Sequence, residues 1–183
     1  MSMMRNADMD EHCWIDTPLG TMYLAIRNGA LQEAGFVDTW ARPVLSPDAE
    51  EASEDLSSEA QLVRDAVAGY FEGDIEAIES ITIQPEGTDF QRAVWQAIRE
   101  VPAGQTVSYQ DIARAVGKPS AYRAVGTATG RNPVGIAVPC HRIVRSDGGL
   151  GGYGGGLHRK EWFLEHERKS LRTSKQPSKN GHD

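Results

Sequence analysis

The sequence predicts an α/β (α+β) N-terminal domain with a small antiparallel sheet, and then a mainly helical C-terminal domain with a helix-turn-helix and a candidate active-site cysteine. Short apolar runs with a hairpin signal occupy the first 37 residues, whereas helical periodicity dominates from Thr88 onward. The charge changes there too: residues 1–87 carry 4 Lys and Arg against 18 Asp and Glu, and residues 88–183 carry 15 against 8. A basic half can meet phosphates, although a solvated acidic face and a Lys/Arg-rich tail explain the same numbers.

Length and composition limit the class of protein. We place the domains at 1–84 and 85–170, with a disordered tail at 171–183. No run of 18 apolar residues is present, which excludes a membrane-spanning helix, and the N-terminus lacks the apolar segment of a secretory signal. Because Cys13 and Cys140 alone cannot form a disulfide framework, we expect a protein of the reducing cytoplasm.

The N-terminal domain is predicted to begin with a β-meander. Asn28-Gly29 is typical of a type I′ turn, which joins two strands of a hairpin. The sequence 17–20 predicts a further turn before it. The strands are expected at 12–16, 21–27 and 30–37.

A linker, a helix and a short strand are predicted to complete this domain. Prolines and an acidic cluster indicate a loop or mobile linker over 38–56. The spacing of Leu62, Ala66 and Tyr70 predicts a helix over 57–72, and 75–83 is predicted as a short β return.

The C-terminal domain is predicted to begin with three helices. Thr88 and Gln91 form a capping box for the first, and Ser108 caps the second. The sequence 117–120 is a tight turn, and the third helix begins at Ala121. Two helices joined by such a turn are typical of a helix-turn-helix, although many other αα-hairpins have the same pattern.

The third helix has two distinct faces. One exposed face combines a long cation with small residues, which suits close approach of the backbone to a large flat partner; a helix that frays at its end explains the same residues. The small-residue face comprises Arg123, Gly126, Thr127 and Gly130, and the predicted buried face comprises Ala121, Ala124, Val125 and Ala128.

The segment Pro139-Cys140-His141-Arg142 interrupts an apolar run and carries the candidate chemistry. An imidazole and a guanidinium beside a thiol favour the nucleophilic thiolate. At the ordinary thiol pKa only a few per cent is ionised at pH 7, so a proton acceptor is needed. A structural role for the Cys-His pair stays open on these residues alone.

A glycine-rich segment over 146–157 follows and predicts a loop. Because it lacks a Gly-Lys-Ser/Thr ending, it is not a phosphate-binding loop. A last helix is expected over 160–167, and the Lys-rich segment from 169 onward is predicted to be disordered.

In order and spacing, these motifs resemble the O6-alkylguanine-DNA alkyltransferases, a family also called methylated-DNA–protein-cysteine methyltransferases. The resemblance covers about residues 87–167, and the N-terminal half matches only as a variable α/β domain. The motifs that carry it are Gly87-Thr88-x-Phe90-Gln91, Val94-Trp95, Ser108-Tyr109, Gly117-Lys118-Pro119, Arg123-Ala124-Val125-Gly126, Asn132-Pro133, Val138-Pro139-Cys140-His141-Arg142, Gly152-Tyr153, Lys160-Glu161 and Glu167.

The resemblance implies roles for four catalytic residues. Cys140 would accept the alkyl group, and His141 would take the thiol proton through a water molecule. Glu167 would hold the imidazole in the right tautomer, although on sequence alone Glu161 and Glu165 compete with it. Tyr109 would donate a proton to guanine N3, with a plain core tyrosine as the alternative.

The resemblance also implies contacts with DNA from which a nucleotide has been flipped out. Arg123 would enter the base stack from the minor groove and fill the gap. The residues expected to bind DNA are Arg123, Ala121, Tyr122, Gly126 and Ser146. Those expected to line or brace the base pocket are Asn132, Ile143, Tyr153 and Gly154.

The expected activity is therefore direct, single-use repair of O6-alkylguanine; the sequence leaves open whether O4-alkylthymine is also a substrate. The expected partner is double-stranded DNA that contains the lesion, bound by a monomer without a cofactor. Some relatives hold a zinc ion, but His12-Cys13 supplies too few ligands here, so we expect no metal. The alternatives are a non-catalytic sensor of alkylated DNA, a transcription regulator and a cysteine hydrolase.

Overall fold

The N-terminal sheet follows the predicted meander. The computed structural model describes residues 10–39 and 55–174. Strands β1 (Asp10–Thr17), β2 (Gly20–Arg27) and β3 (Ala30–Phe36) pair antiparallel. Asn28 and Gly29 have φ values of 51° and 73°, the left-handed conformation that a type I′ turn requires. The hairpin prediction is confirmed.

The sheet is mixed rather than antiparallel, which corrects the predicted fold class in one respect. Strand β4 (Thr82–Ile83) pairs parallel with β3, and within the described residues the strand order is β1-β2-β3-β4. Most of the predicted β return is wrong, because Ile75–Ser80 is a 3₁₀ helix that buries Ile75 and Ile78. An apolar run this short fits either structure.

Helix α1 (Ser58–Glu72) packs on this sheet. Its N-cap Ser57 accepts a hydrogen bond from the Ala60 amide, and Gly73 ends it in a left-handed conformation, as such residues do. Tyr70 and Ala66 are buried as expected, whereas Leu62 is 69% exposed. Of the predicted linker over 38–56, residues 40–54 lie outside the described part of the chain.

Three helices follow near the predicted positions. They are α2 (Asp89–Arg99), α3 (Tyr109–Ala115) and α4 (Tyr122–Gly130). Reciprocal capping boxes at Thr88 and Ser108 begin α2 and α3, as the sequence predicts. In α4 the buried face is formed by Val125, Ala128 and Thr129 rather than by Ala124, which is exposed.

The segment that carries Cys140 lies between α4 and a short parallel strand pair. Strands β5 (Val107–Ser108) and β6 (Ile143–Val144) pair with each other. The 3₁₀ helix Cys140–Arg142 directly precedes β6. This pairing holds the start of α3 beside the end of the cysteine segment.

The last helix, α5 (Leu157–Ser174), is longer than the expected 160–167. The predicted disorder is wrong for 169–174, which are helical, and residues 175–183 lie outside the described part. Buried side chains on α5 include Lys160, Phe163 and Glu167. This helix therefore supplies both apolar and charged groups to the interior.

The apolar core joins the two halves of the chain. Phe163 of α5 contacts the rings of Phe36 and Tyr70, with centroids 6.3 and 6.1 Å apart. Buried side chains of the sheet, of α1 and of the later helices form one contiguous cluster. None of the helices in the described ranges is long and apolar enough to cross a bilayer.

Candidate active site

Cys140 lies at the wall of a cavity of about 640 Å³ between the N-terminal sheet and the C-terminal helices. The thiol is partly buried, and Asn132, Tyr153 and Gly154 line the same cavity. The structure thus brings three of the four expected pocket residues to the cysteine. Ile143 lies in the core behind it and does not line the cavity.

Asn132 braces the turn between α4 and the cysteine segment. Its Nδ2 donates to the carbonyl of Val138 over 2.9 Å, and its Oδ1 accepts from the amide of Val134 over 3.0 Å. These bonds fix the backbone just before Cys140. The Asn132 amide also lowers the pKa of the Cys140 thiol and so favours the thiolate.

Burial raises the pKa of the Cys140 thiol, and the Asn132 hydrogen bond and the Lys160 ammonium only partly offset it. The prediction that the flanking guanidinium favours the thiolate is wrong, because Arg142 points into the core. Its Nη1 donates to the Val101 carbonyl over 2.6 Å, and its other nitrogens bind Glu167. Ionisation of Cys140 therefore depends on a proton acceptor.

A buried cluster of Tyr70, His141, Arg142 and Glu167, here called the Glu167 cluster, lies beside the cysteine. Oε1 of Glu167 is 2.7 Å from His141 Nε2 and accepts from Arg142 Nη2 and the Tyr70 hydroxyl, each over 2.8 Å. Oε2 accepts from Arg142 Nε and from the Gly104 amide, each over 3.0 Å. The structure thus selects Glu167 from the three candidate carboxylates.

The charges of the Glu167 cluster compensate each other. Burial alone would raise the pKa of Glu167, but hydrogen bonds and charge from His141 and Arg142 outweigh it and hold that pKa far below its usual range. Burial lowers the pKa of His141 despite its contact with Glu167. At neutral pH the site therefore combines a carboxylate with a neutral imidazole.

The tautomer of His141 follows from its contacts. Because Nε2 faces the carboxylate, Nε2 carries the ring proton and donates a hydrogen bond to Glu167. Nδ1 is buried and has no hydrogen-bond partner within residues 10–39 and 55–174. This nitrogen is thus the free acceptor of the neutral ring.

Tyr109 begins α3 and is half-buried. Its hydroxyl lies close to Gly151, since a Cβ added to Gly151 would be 3.1 Å from the hydroxyl oxygen. Burial and the nearby Cys140 raise the pKa of this tyrosine, so it stays protonated. Lys160 fixes the backbone before and within the glycine-rich loop, since its ammonium donates to the carbonyls of Ile143, Leu150 and Gly152.

Of the expected DNA-binding residues, Arg123, Tyr122 and Ser146 are exposed, and Ala121 and Gly126 are partly buried. Arg123 is exposed, lies 5.8 Å from the ring of Tyr122 and forms no ion pair with any described residue. Tyr122 is 45% exposed, and Ala121 precedes it as the N-cap of α4. Ser146 is exposed in the loop that follows β6. At Gly126 a Cβ would meet nothing closer than 3.9 Å, so internal packing does not require glycine there.

The site considered for zinc is occupied by other contacts. His12 is hydrogen-bonded to the Tyr23 hydroxyl, and Cys13 is buried in β1, as expected for a small strand residue. Burial raises the pKa of Cys13 to about 11, which keeps its sulfur protonated. Across the described ranges, no three His, Cys, Asp or Glu side chains cluster as metal ligands would.

Sequence reasoning missed three contributors to the site. The Tyr70 hydroxyl and the Gly104 amide donate hydrogen bonds to Glu167, and Lys160 donates hydrogen bonds to carbonyls of the glycine-rich loop. The helical spacing marked Tyr70 only as a core residue, and no pattern reveals a backbone amide. For Lys160 the available signal was its place in the motif Lys160-Glu161, which carries no role by itself.

Comparison with known proteins first defines the class. A family profile described as "6-O-methylguanine DNA methyltransferase, DNA binding domain" matches residues 89–169. Similar solved structures include the Mycobacterium tuberculosis O6-methylguanine methyltransferase, 35% identical with a TM-score of 0.73, over 93% of this chain and 96% of that one. A structure from the same organism in complex with DNA is 34% identical, with a TM-score of 0.71, over 87% and 94%.

Two curated relatives narrow the class to one family. A methylated-DNA–protein-cysteine methyltransferase of Methanosarcina barkeri is 40% identical over 158 residues, which span 86% of this chain and 97% of the relative. One of Mycobacterium leprae is 42% identical over 164 residues, 89% and 96% of the two chains. The chain belongs to the methylated-DNA–protein-cysteine methyltransferase family.

Proposed function

We propose that this protein repairs double-stranded DNA directly by moving the alkyl group of O6-alkylguanine onto Cys140, as a monomer and once per molecule. The observation that carries the proposal is the position of Cys140, on a cavity and directly before a buried His141–Glu167 pair. A purely structural cysteine has no need of such a pair.

The proposed step is a displacement at carbon. The Cys140 sulfur forms a bond to the alkyl carbon, while the bond between that carbon and guanine O6 breaks and leaves its electron pair on the base. The resulting thioether has no easy reversal, so each molecule acts once. Guanine is restored without loss of the nucleotide.

His141 supplies the proton acceptor in this proposal. The thiol proton passes through a bridging water to Nδ1, the nitrogen that has no partner among the described residues. The imidazolium that forms is stabilised by Glu167 through Nε2. Tyr109 then donates a proton to N3 of the departing guanine; its raised pKa keeps the phenol protonated until that point. The phenolate regains a proton, and the His141 imidazolium releases one, through solvent, so the net change moves the thiol proton to the restored guanine.

The target base must leave the duplex, because guanine O6 is inaccessible within the stack. We propose that α3 and α4 act as a helix-turn-helix, with Ala121, Tyr122 and Gly126 against the backbone and Ser146 on a nearby phosphate. Arg123 fills the gap in the stack from the minor groove. Its exposure and its lack of an ion pair within the described ranges support this role.

The flipped base is proposed to lie against Tyr153 and Gly154, with Asn132 and the backbone at Ile143 shaping the pocket. A Cβ at Gly154 would meet nothing within 4 Å, and one at Gly135 would lie 3.2 Å from the Ala34 carbonyl. The open space at Gly154 leaves that part of the wall wide, which suits methyl transfer but grips a bulky group weakly, whereas glycine at 135 lets the backbone pack closely against Ala34.

Mass analysis of the peptide that contains Cys140 tests the proposal. After incubation with duplex DNA bearing O6-methylguanine, we expect one added methyl group on that peptide, none on the Cys13 peptide, and an equal amount of repaired DNA. Cys140→Ala should bind the DNA and leave the lesion intact. An unmodified Cys140 with the lesion still present would overturn the assignment. Duplex with O4-methylthymine tests the second substrate in the same assay.

A further inference from the structure

The hydroxyl of Tyr70 reaches the Glu167 cluster from the other half of the molecule. Tyr70 lies on α1, outside the profile match over 89–169, and its side chain is fully buried. Its hydroxyl donates to Oε1 of Glu167 over 2.8 Å, the same oxygen that faces His141 Nε2 over 2.7 Å. Tyr70 is therefore one residue removed from the proposed proton acceptor.

Tyr70 is not needed to hold the Glu167 carboxylate in place. Arg142 already binds both carboxylate oxygens, through Nε and Nη2, and the Gly104 amide binds Oε2. The Tyr70 hydroxyl instead adds a further donor to Oε1. Each donor takes a share of the negative charge on that oxygen, so the charge left to stabilise an imidazolium is smaller.

We propose that Tyr70 is a positioning residue for the alkyl transfer: by sharing Oε1 of Glu167, it limits how strongly that oxygen binds the His141 ring and so keeps the ring neutral, ready to accept the thiol proton. The inference rests on the proposed role of His141 as proton acceptor. A ring that is already protonated cannot take a proton from Cys140.

The surroundings of His141 agree with this role. The charged or titratable groups around it are Glu167 and Lys160 on α5, Arg142 and Cys140 on its own 3₁₀ helix, and Tyr70 through Glu167. Burial and the contact with Glu167 raise the pKa of Tyr70 well above its ordinary value, so the phenol is a donor throughout the working pH range.

Two changes at position 70 test the inference with opposite signs. Tyr70→Phe removes the donor and keeps the ring, so the pKa of His141 and the acid limb of the pH–rate profile should both move up by about one pH unit. Replacing Tyr70 by 3-fluorotyrosine makes a stronger donor, and both should move down. Tyr23→Phe, which removes another buried hydroxyl bonded to a histidine, is the matched control and should shift neither.

The measurements separate this inference from the proposed function. Nuclear magnetic resonance of ¹⁵N-labelled histidine follows the His141 titration without DNA, and single-turnover transfer at a series of pH values gives the rate profile. An unshifted titration, or a rate lowered equally at every pH, overturns the inference. If Tyr70→Phe does not fold, the fluorotyrosine protein decides alone. Failure of the unaltered protein to transfer a methyl group would refute the proposed function and leave the titration test intact.

Discussion

The Glu167 cluster and the exposed face of α4 hold charged residues in opposite conditions. In the cluster, His141, Arg142 and Glu167 are buried, and the hydrogen bonds of Glu167 to His141 and Arg142 fix the positions of the three side chains. On α4, Arg123 is exposed and has no ion pair within the described residues. The two environments suit different functions. Proton transfer needs groups held in one geometry, whereas binding a large partner needs an accessible cation without a counter-ion of its own.

Loss of the Glu167 charge is expected to have the largest effect, because it would leave the Arg142 guanidinium buried without its counter-ion. Glu167→Gln should lower the free energy of unfolding by about 3 kcal/mol and slow methyl transfer by about 100-fold or more. Urea denaturation and single-turnover kinetics measure the two losses. An undisturbed transfer rate would mean that the carboxylate does not act on His141.

Acid should weaken the cluster next. The pKa of Glu167 is held low and that of His141 is lowered by burial, so the unfolded chain binds more protons than the folded one. The contribution of these two groups to the free energy of unfolding is therefore fully present above the pKa values that His and Glu have in the unfolded chain. It decreases as the pH falls below about 6.5, where His titrates in the unfolded chain, and again below about 4.3, where Glu does. Denaturation curves from pH 7 to pH 3 should show both phases, with the second much smaller in Glu167→Gln. Stability that increases toward acid would contradict the assignment.

A change on α4 should act on DNA rather than on stability. Arg123→Ala should slow repair of duplex DNA by about tenfold, because the gap left by the flipped nucleotide is no longer filled. Reaction with the free base O6-methylguanine should be unchanged, as should the melting temperature. Arg123→Lys keeps the charge and tests whether charge alone suffices. Equal losses on both substrates would refute the wedge role.

The smallest effect is expected two residues from the largest. Glu165 is 48% exposed and pairs with Arg168 over 3.1 Å and with Lys169 over 3.5 Å on the surface of α5. Glu165→Gln should change the free energy of unfolding by less than about 0.5 kcal/mol and leave transfer unchanged. A loss comparable to that of Glu167→Gln would show that net charge on the helix, rather than the cluster, controls the site.

Local signals made much of the fold predictable. Asn28-Gly29 specified its turn and the capping boxes at Thr88 and Ser108 specified two helix starts, because each acts within a few residues. The parallel pairing of β4 with β3 was not predictable, since it joins Ala30 to Thr82 across a long intervening segment. The exposed Leu62 shows that near-helical spacing alone does not decide which face is buried.

The candidate site divides in the same way. Cys140, His141 and Asn132 lie close together in sequence, and the family resemblance supplied Glu167. The direction of Arg142 could not be predicted, because a guanidinium beside a thiol in sequence can point toward it or away. Tyr70 and Glu167 form a hydrogen bond although they lie 97 positions apart in the sequence. From the sequence alone, Tyr70 could be predicted only as a core residue.

The bonds that Glu167 accepts also bear on how the molecule melts. One carboxylate takes donors from α1, from the segment after α2 and from the 3₁₀ helix, while Phe163 packs between the aromatic rings of both halves. An excised fragment that begins after α1 would lose the Tyr70 donor and expose that aromatic face to water. We therefore expect a single cooperative transition for the whole chain, with neither half persisting once the other has come apart.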